Sequence, residues 1–105
     1  MRNPPQQELI KLVAEYGSQI YKTAEECQQL LEDECGDYKR EIFVLTTAVA
    51  QKVPTKLLAY QPDQELLYKV IDDLKRELII NCALLPEAAE WAVESWGQAL
   101  QVISK

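Results

Sequence analysis

The chain has 105 residues, of which 48% are hydrophobic, and its formal net charge is −6. That length is enough for one domain, and the hydrophobic residues are spread along the whole chain, which excludes a disordered protein. Nine acids and six bases precede Val53, and eight acids and five bases follow it, so neither half has the basic face that binding to nucleic acid or an anionic membrane surface requires.

The first predicted helix follows an N-terminal segment, residues 1–6, that is expected to be loose. Pro5 can open this helix, because proline is favourable in a first turn, and Gly17 can end it as a left-handed cap. The apolar residues of this helix fall on one face, and they are Leu9, Leu12, Val13 and Tyr16.

The second and third predicted helices meet at Gly36. Thr23 and Glu26 form a capping box that opens the second helix, and Asp37 is expected to cap the start of the third. The third helix runs to about Lys52 and is apolar nearly all round after its first turn, which is typical of the buried centre of a bundle. Its apolar residues are Tyr38, Ile42, Phe43, Val44, Leu45, Val49 and Ala50.

The second half of the chain is predicted to form one short and two long helices. Pro54 breaks the third helix, and a short helical segment is expected over residues 55–60 before a helix over residues 63–81. The inward residues of that helix are expected to be Leu66, Leu67, Val70, Ile71, Leu74 and Leu78. Pro86 opens a last helix that runs to about Ile103, and Gly97 inside it indicates close packing against a neighbouring helix.

These elements predict an all-α fold, a compact bundle of about five long helices and one short helix in a single domain over residues 1–105. We expect a cytoplasmic protein, because the N-terminus has no apolar signal sequence and no segment is apolar enough to cross a membrane. Cys27, Cys35 and Cys82 are expected to be free thiols. The first two would lie about 12 Å apart on one helix, too far for a disulfide.

Catalytic chemistry has little support in this sequence. The chain has no histidine, its three glycines are isolated, and no serine or cysteine has a base beside it. We therefore predict that it is not an enzyme and has no metal or other cofactor. An enzyme built on carboxylates alone ranks last among the hypotheses.

Two features are candidates for partner binding. Residues 23–37 hold six acids and no base, and Glu25, Glu32 and Asp33 could form a docking face for a basic partner or a weak cation site. A solvated helix face is the alternative interpretation. Trp91 lies five residues before Trp96, so only one of the two can face the inner seam of the last helix. Trp91 is either a partly exposed interface anchor or packed against another helix.

Two sequence motifs resemble those of a known family of small helical domains. CGDYKREIFVL over residues 35–45 and AAEWAVESW over residues 88–96 resemble those of a small helical accessory domain of bacteria, often cyanobacteria. Domains of this kind are appended to kinases, zinc-ribbon proteins and signalling or conflict proteins. The resemblance implies an adaptor that carries no catalytic residues.

We therefore predict a non-enzymatic module that binds a protein partner or self-associates, and that binds neither nucleic acid nor membranes. The alternative hypothesis is a helical bundle that binds a small ligand or a cation.

Overall fold

A computed structural model describes residues 1–103, which form six α-helices and contain no strand. The helices are α1 (Pro4–Tyr16), α2 (Ala24–Cys35), α3 (Lys39–Ala50), α4 (Val53–Tyr60), α5 (Gln64–Cys82) and α6 (Pro86–Ala99). A short 3-10 helix, Gly17–Tyr21, follows α1. The predicted all-α bundle of five long helices and one short helix is confirmed. Residues 104 and 105 of the predicted domain lie outside the described range.

Local chemistry explains most of the helix ends. The Thr23 hydroxyl accepts a hydrogen bond from the backbone N–H of Glu26 at 3.1 Å, as the capping box predicts. The Asp63 carboxylate likewise accepts from the N–H of Leu66 at 3.2 Å and starts α5. Gly17 ends α1 with a φ of 60°, a backbone conformation that glycine adopts without steric cost.

The start of the chain differs from the expected loose segment. Helix α1 already begins at Pro4, and Pro5 is buried. The backbone N–H of Arg2 donates to the Glu41 carboxylate at 3.0 Å, and the Gln6 amide donates to the Ser95 hydroxyl at 2.8 Å. These bonds tie residues 2–6 to α3 and α6, so the segment belongs to the bundle.

The last helix ends earlier than predicted. It stops at Ala99, where the backbone N–H groups of Val102 and Ile103 both turn back to donate to the Gly97 carbonyl. A Cβ atom on residue 97 would stand 3.1 Å from the Cβ of Ile103 and closer still to the end of that side chain. Gly97 therefore makes room for the chain's own C-terminal turn, whose Ile103 side chain supplies the nearest atoms.

Helix α6 is the centre of the bundle, because it packs against α1, α3, α4 and α5. Most of its buried residues are small, which allows the neighbouring helices to approach closely. The buried residues are Ala88, Ala89, Ala92, Val93, Ser95, Trp96, Gly97 and Ala99. Helix α3, which the sequence predicts to be the buried centre, is deeply buried on one side but leaves Phe43 61% exposed.

Trp96 joins three parts of the core. Its side chain is fully buried, and its indole N–H donates to the Leu45 carbonyl of α3 at 3.1 Å. Its ring lies 6.0 Å from the ring of Tyr21, edge to face, so it also contacts the 3-10 helix. One side chain of α6 thus holds α3 and the segment after α1 in place.

Not every residue that is predicted to face inward is buried. Leu66 at the start of α5 is 44% exposed, and so is Tyr16 at the end of α1. Both lie in terminal turns, where the neighbouring helix no longer covers the apolar face.

Over the described range, no single helix is long and apolar enough to cross a membrane. Helices α3 and α4 meet these length and composition requirements only when they are taken together, and a 58° bend separates them.

Candidate functional site

An open groove of about 550 Å³ lies between α2 and α3. These helices form a hairpin, because only three residues, 36–38, connect them. The residues that line the groove are Gln28, Glu32 and Gly36 on the α2 side and Lys39, Ile42, Phe43 and Thr46 on the α3 side. The groove therefore has one polar wall and one largely apolar wall.

The apolar wall is built around Phe43. Its neighbours Ile42 and Val44 are 3% and 2% exposed, whereas Phe43 is 61% exposed. Successive residues of an α-helix point about 100° apart, so α3 can bury both neighbours and still turn Phe43 outward. The hydroxyls of Thr46 and Thr47 both donate to the Phe43 carbonyl, at 3.1 Å and 2.7 Å. The O–H donors of both threonines are thus used within the helix, and Thr46, which lines the groove, is itself 8% exposed.

The polar wall is acidic. The Glu32 carboxylate accepts a hydrogen bond from the Gln28 amide at 2.9 Å across one turn of α2. Helix α2 exposes five acids and has no basic residue, and these acids are Glu25, Glu26, Glu32, Asp33 and Glu34. Lys39 stands at the hairpin end of the groove, and within residues 1–103 its ammonium group makes no ion pair. The charged residues that line the groove are thus one acid on the α2 side, Glu32, and one base at the hairpin end, Lys39.

The three acidic candidate residues do not converge on one point. Glu32 lines the groove, but Asp33 is the next residue of the helix and points about 100° away from it. Glu25 lies two turns before Glu32 on the same face, and it borders a second shallow depression beside Tyr16 and Leu30. Among the candidates, Glu32 is therefore the one that lies in the groove.

The fourth candidate, Trp91, lies elsewhere in the bundle. It is partly buried on α6 and packs against the core, and its indole N–H is buried without a hydrogen-bond partner in the described part of the chain. Helix α2 packs on α1, the 3-10 helix and α3, whereas α6 packs on α1, α3, α4 and α5. Trp91 thus lies on a helix that shares the neighbours α1 and α3 with α2, and it does not line the groove.

Phe43 is the residue that sequence reasoning missed. The apolar pattern places it in the buried arc of the third helix, because both its neighbours in the chain are apolar. A periodic pattern shows which residues are apolar but not how wide an arc the other helices cover. The one available signal is that Phe43 lies close to the charged first turn, residues 39–41, which has to reach solvent.

The thiols are free and poorly activated. Burial raises the pKa of Cys27 to about 12. Burial also raises the pKa of Cys35, and the carboxylates of Glu8, Glu34 and Glu41 raise it further. The thiolate is the reactive form of cysteine, so all three residues are poor nucleophiles and Cys27 is the poorest.

We expect an alkylating reagent at pH 8 to modify Cys35 and Cys82 in the folded protein before Cys27. Cys27 is fully buried and stays protonated, whereas the other two are partly exposed. Mass spectrometry of the intact protein over time should show two additions and then a slow third that urea accelerates. Equal rates for all three would contradict the burial of Cys27.

Burial of Cys27 also predicts a pH dependence of stability. Its thiol ionises near pH 9 in the unfolded chain but only near pH 12 in the folded protein, so the free energy of unfolding should fall as the pH rises from about 9 towards 12.

Among residues 1–103, no group of three Cys, Asp or Glu side chains is placed to hold a metal ion. No protein-family model, no curated protein and no solved structure matches the chain.

Proposed function

We propose that this protein is a non-enzymatic interaction module, an adaptor of the cytoplasm that binds a protein partner through the groove between α2 and α3. The observation that carries the proposal is the exposure of Phe43. A phenylalanine can bury about 150–250 Å² of surface, so leaving 61% of it in water forgoes about 3 kcal/mol. A partner that covers this ring would recover that free energy on binding.

The resemblance of residues 35–45 to bacterial helical accessory domains supports the same proposal. This segment contains Lys39, Ile42 and Phe43, which are most of the α3 side of the groove. The resemblance implies an adaptor of signalling or effector systems, and the surface that the shared segment presents is the one on which we place the partner.

A bundle that binds a small ligand is the second candidate. The groove volume of about 550 Å³ falls within the range of ligand pockets. The groove is open to solvent on one side, however, and would leave part of a small molecule in water, which favours a protein partner. A ligand that binds only the folded state would raise the melting temperature. A thermal-shift screen with metal ions, nucleotides and common metabolites separates the two candidates.

The proposal is tested by capturing partners of the tagged protein from a native lysate and identifying them by mass spectrometry. We expect a protein enriched with the wild type to be lost with Phe43→Ala, because the variant removes the ring without touching the core. Tyr68→Ala is the matched control, because Tyr68 is a 67% exposed aromatic residue on α5.

Partners that Phe43→Ala retains, or the absence of any enriched protein, would overturn this assignment. Trp91→Ala belongs in the same experiment, since it tests the other aromatic candidate. Loss of the partner with Trp91→Ala alone would move the interface from the groove to α6.

A further inference from the structure

The two walls of the groove together define the kind of partner that fits. The α3 wall offers the exposed aromatic ring of Phe43, and the α2 wall belongs to a helix with five exposed acids and no base. We propose that the groove binds an amphipathic helix whose apolar stripe covers Phe43 and whose flank towards α2 carries lysine or arginine. This inference rests on the proposed function and names the chemical class of its partner.

The spacing of the acids suits a helical partner. Glu25 and Glu32 are seven residues apart, so they lie on one face of α2, about 10 Å from each other. A partner helix that extends along α2 beyond the groove, with two basic residues that are also seven apart, would meet Glu32 in the groove and Glu25 outside it. Helix α2 has 12 residues and is about 18 Å long, which matches a partner helix of three to four turns.

Lys39 gives the groove a direction. It is the basic residue at the hairpin end of the groove, whereas Glu32 lines the α2 side and Glu25 lies two turns further along α2, outside the groove. Consider a partner helix with basic residues along α2 and an acidic residue at one end. In one orientation the acidic end meets Lys39, and in the reverse orientation it meets the acids of α2, so only the first avoids placing like charges opposite each other. Charge pairs at the edge of an interface act mainly in this way, on specificity and on the rate of association.

A second copy of this chain fits the groove poorly. Two copies that paired groove to groove would bring two acidic α2 helices together, and each chain has a net charge of −6. Like charges placed opposite each other across an interface cost several kcal/mol. The same acidic surface repels nucleic acid and anionic lipid, so a basic protein segment is the occupant that the charges favour.

The probe for this inference is a fluorescently labelled synthetic peptide that forms an amphipathic helix with leucine on one face and lysine on the flanks. Its matched control replaces every lysine with glutamate. We expect fluorescence anisotropy to show that the lysine peptide binds about tenfold more tightly or better, and that high salt narrows the difference.

Four variants locate the binding. Phe43→Ala and Glu32→Lys should each weaken binding of the lysine peptide about tenfold, because one removes the apolar anchor and the other reverses the charge of the wall. Asp33→Lys changes the net charge equally but points away from the groove, and Tyr68→Ala removes an aromatic ring elsewhere. Both should leave the affinity within about threefold of the wild type.

Equal losses of peptide affinity with Glu32→Lys and Asp33→Lys would show that the attraction depends only on net charge, and would overturn the inference. An unchanged peptide affinity with Phe43→Ala would overturn it as well. If the peptide fails but Phe43→Ala still abolishes capture of a cellular partner, the proposed function stands and the partner has a different chemistry. If Phe43→Ala changes neither result, the proposed function fails as well.

Discussion

Trp96→Ala should destabilise the protein by about 4 kcal/mol, enough to leave a large unfolded fraction in a domain of ordinary stability. The side chain is fully buried, and its removal leaves a cavity among α3, α6 and the 3-10 helix. The variant also loses the hydrogen bond to the Leu45 carbonyl and the contact with the Tyr21 ring. Urea denaturation followed by circular dichroism measures the decrease in the free energy of unfolding.

Trp96→Phe is the matched control, because it keeps an aromatic ring but not the indole N–H. We expect it to cost about 1–3 kcal/mol, from the lost hydrogen bond and a smaller cavity. A loss of less than about 2 kcal/mol for Trp96→Ala would show that this tryptophan is not the side chain that joins α6 to α3.

Ala92→Leu should destabilise the protein by overfilling the core, although less than Trp96→Ala does by emptying it. Ala92 is fully buried on α6, the helix that packs against four others. A leucine there has to displace side chains or a helix backbone, and overpacking of this kind costs about 1–3 kcal/mol. The expected result is a lower urea midpoint with far-ultraviolet circular dichroism that still shows a helical protein.

Ala59→Leu provides the comparison, because Ala59 is an exposed residue within α4. Leucine and alanine have similar helix propensities, so this variant should unfold within about 0.5 kcal/mol of the wild type. An Ala92→Leu variant as stable as the Ala59→Leu variant would mean that α6 has free space beside it and is not the tightly packed centre.

The sequence predicts several helix starts from local interactions, but the predicted Asp37 cap is wrong, because α3 begins one residue later, with Tyr38 at the N-cap and no side-chain cap. Thr23 caps α2 through a side chain three residues from its partner, and Pro86 opens α6 because proline suits a first turn. Such signals depend only on neighbours in the chain. Helix α3 is deeply buried on one side, in keeping with its apolar pattern, and packs against α2, α4 and α6. The sequence does not show that alanine-rich α6, which has fewer large apolar residues, packs against one helix more, because that depends on the arrangement of the whole bundle.

The candidate site is predictable only in part. Glu32 stands out because its segment lacks any basic residue, and that property can be read directly from the chain. Phe43 does not stand out, because its exposure depends on the relative placement of α2 and α3. The angle between Trp91 and Trp96 makes Trp91 a candidate anchor, but that angle does not show how far a neighbouring helix reaches over the ring.

The central position of α6 also has a consequence for how the protein is made. Helix α1 packs on α6, and Gln6 bonds to Ser95 across 89 positions of the chain. During synthesis α1, α3, α4 and α5 therefore emerge before α6, the helix that covers part of their apolar faces. Until α6 has been synthesised, the nascent chain exposes the apolar surfaces that α6 covers in the folded protein. Partly folded chains of this kind are prone to aggregate. The α2–α3 hairpin, whose contacts are local, can form earlier than the rest of the bundle.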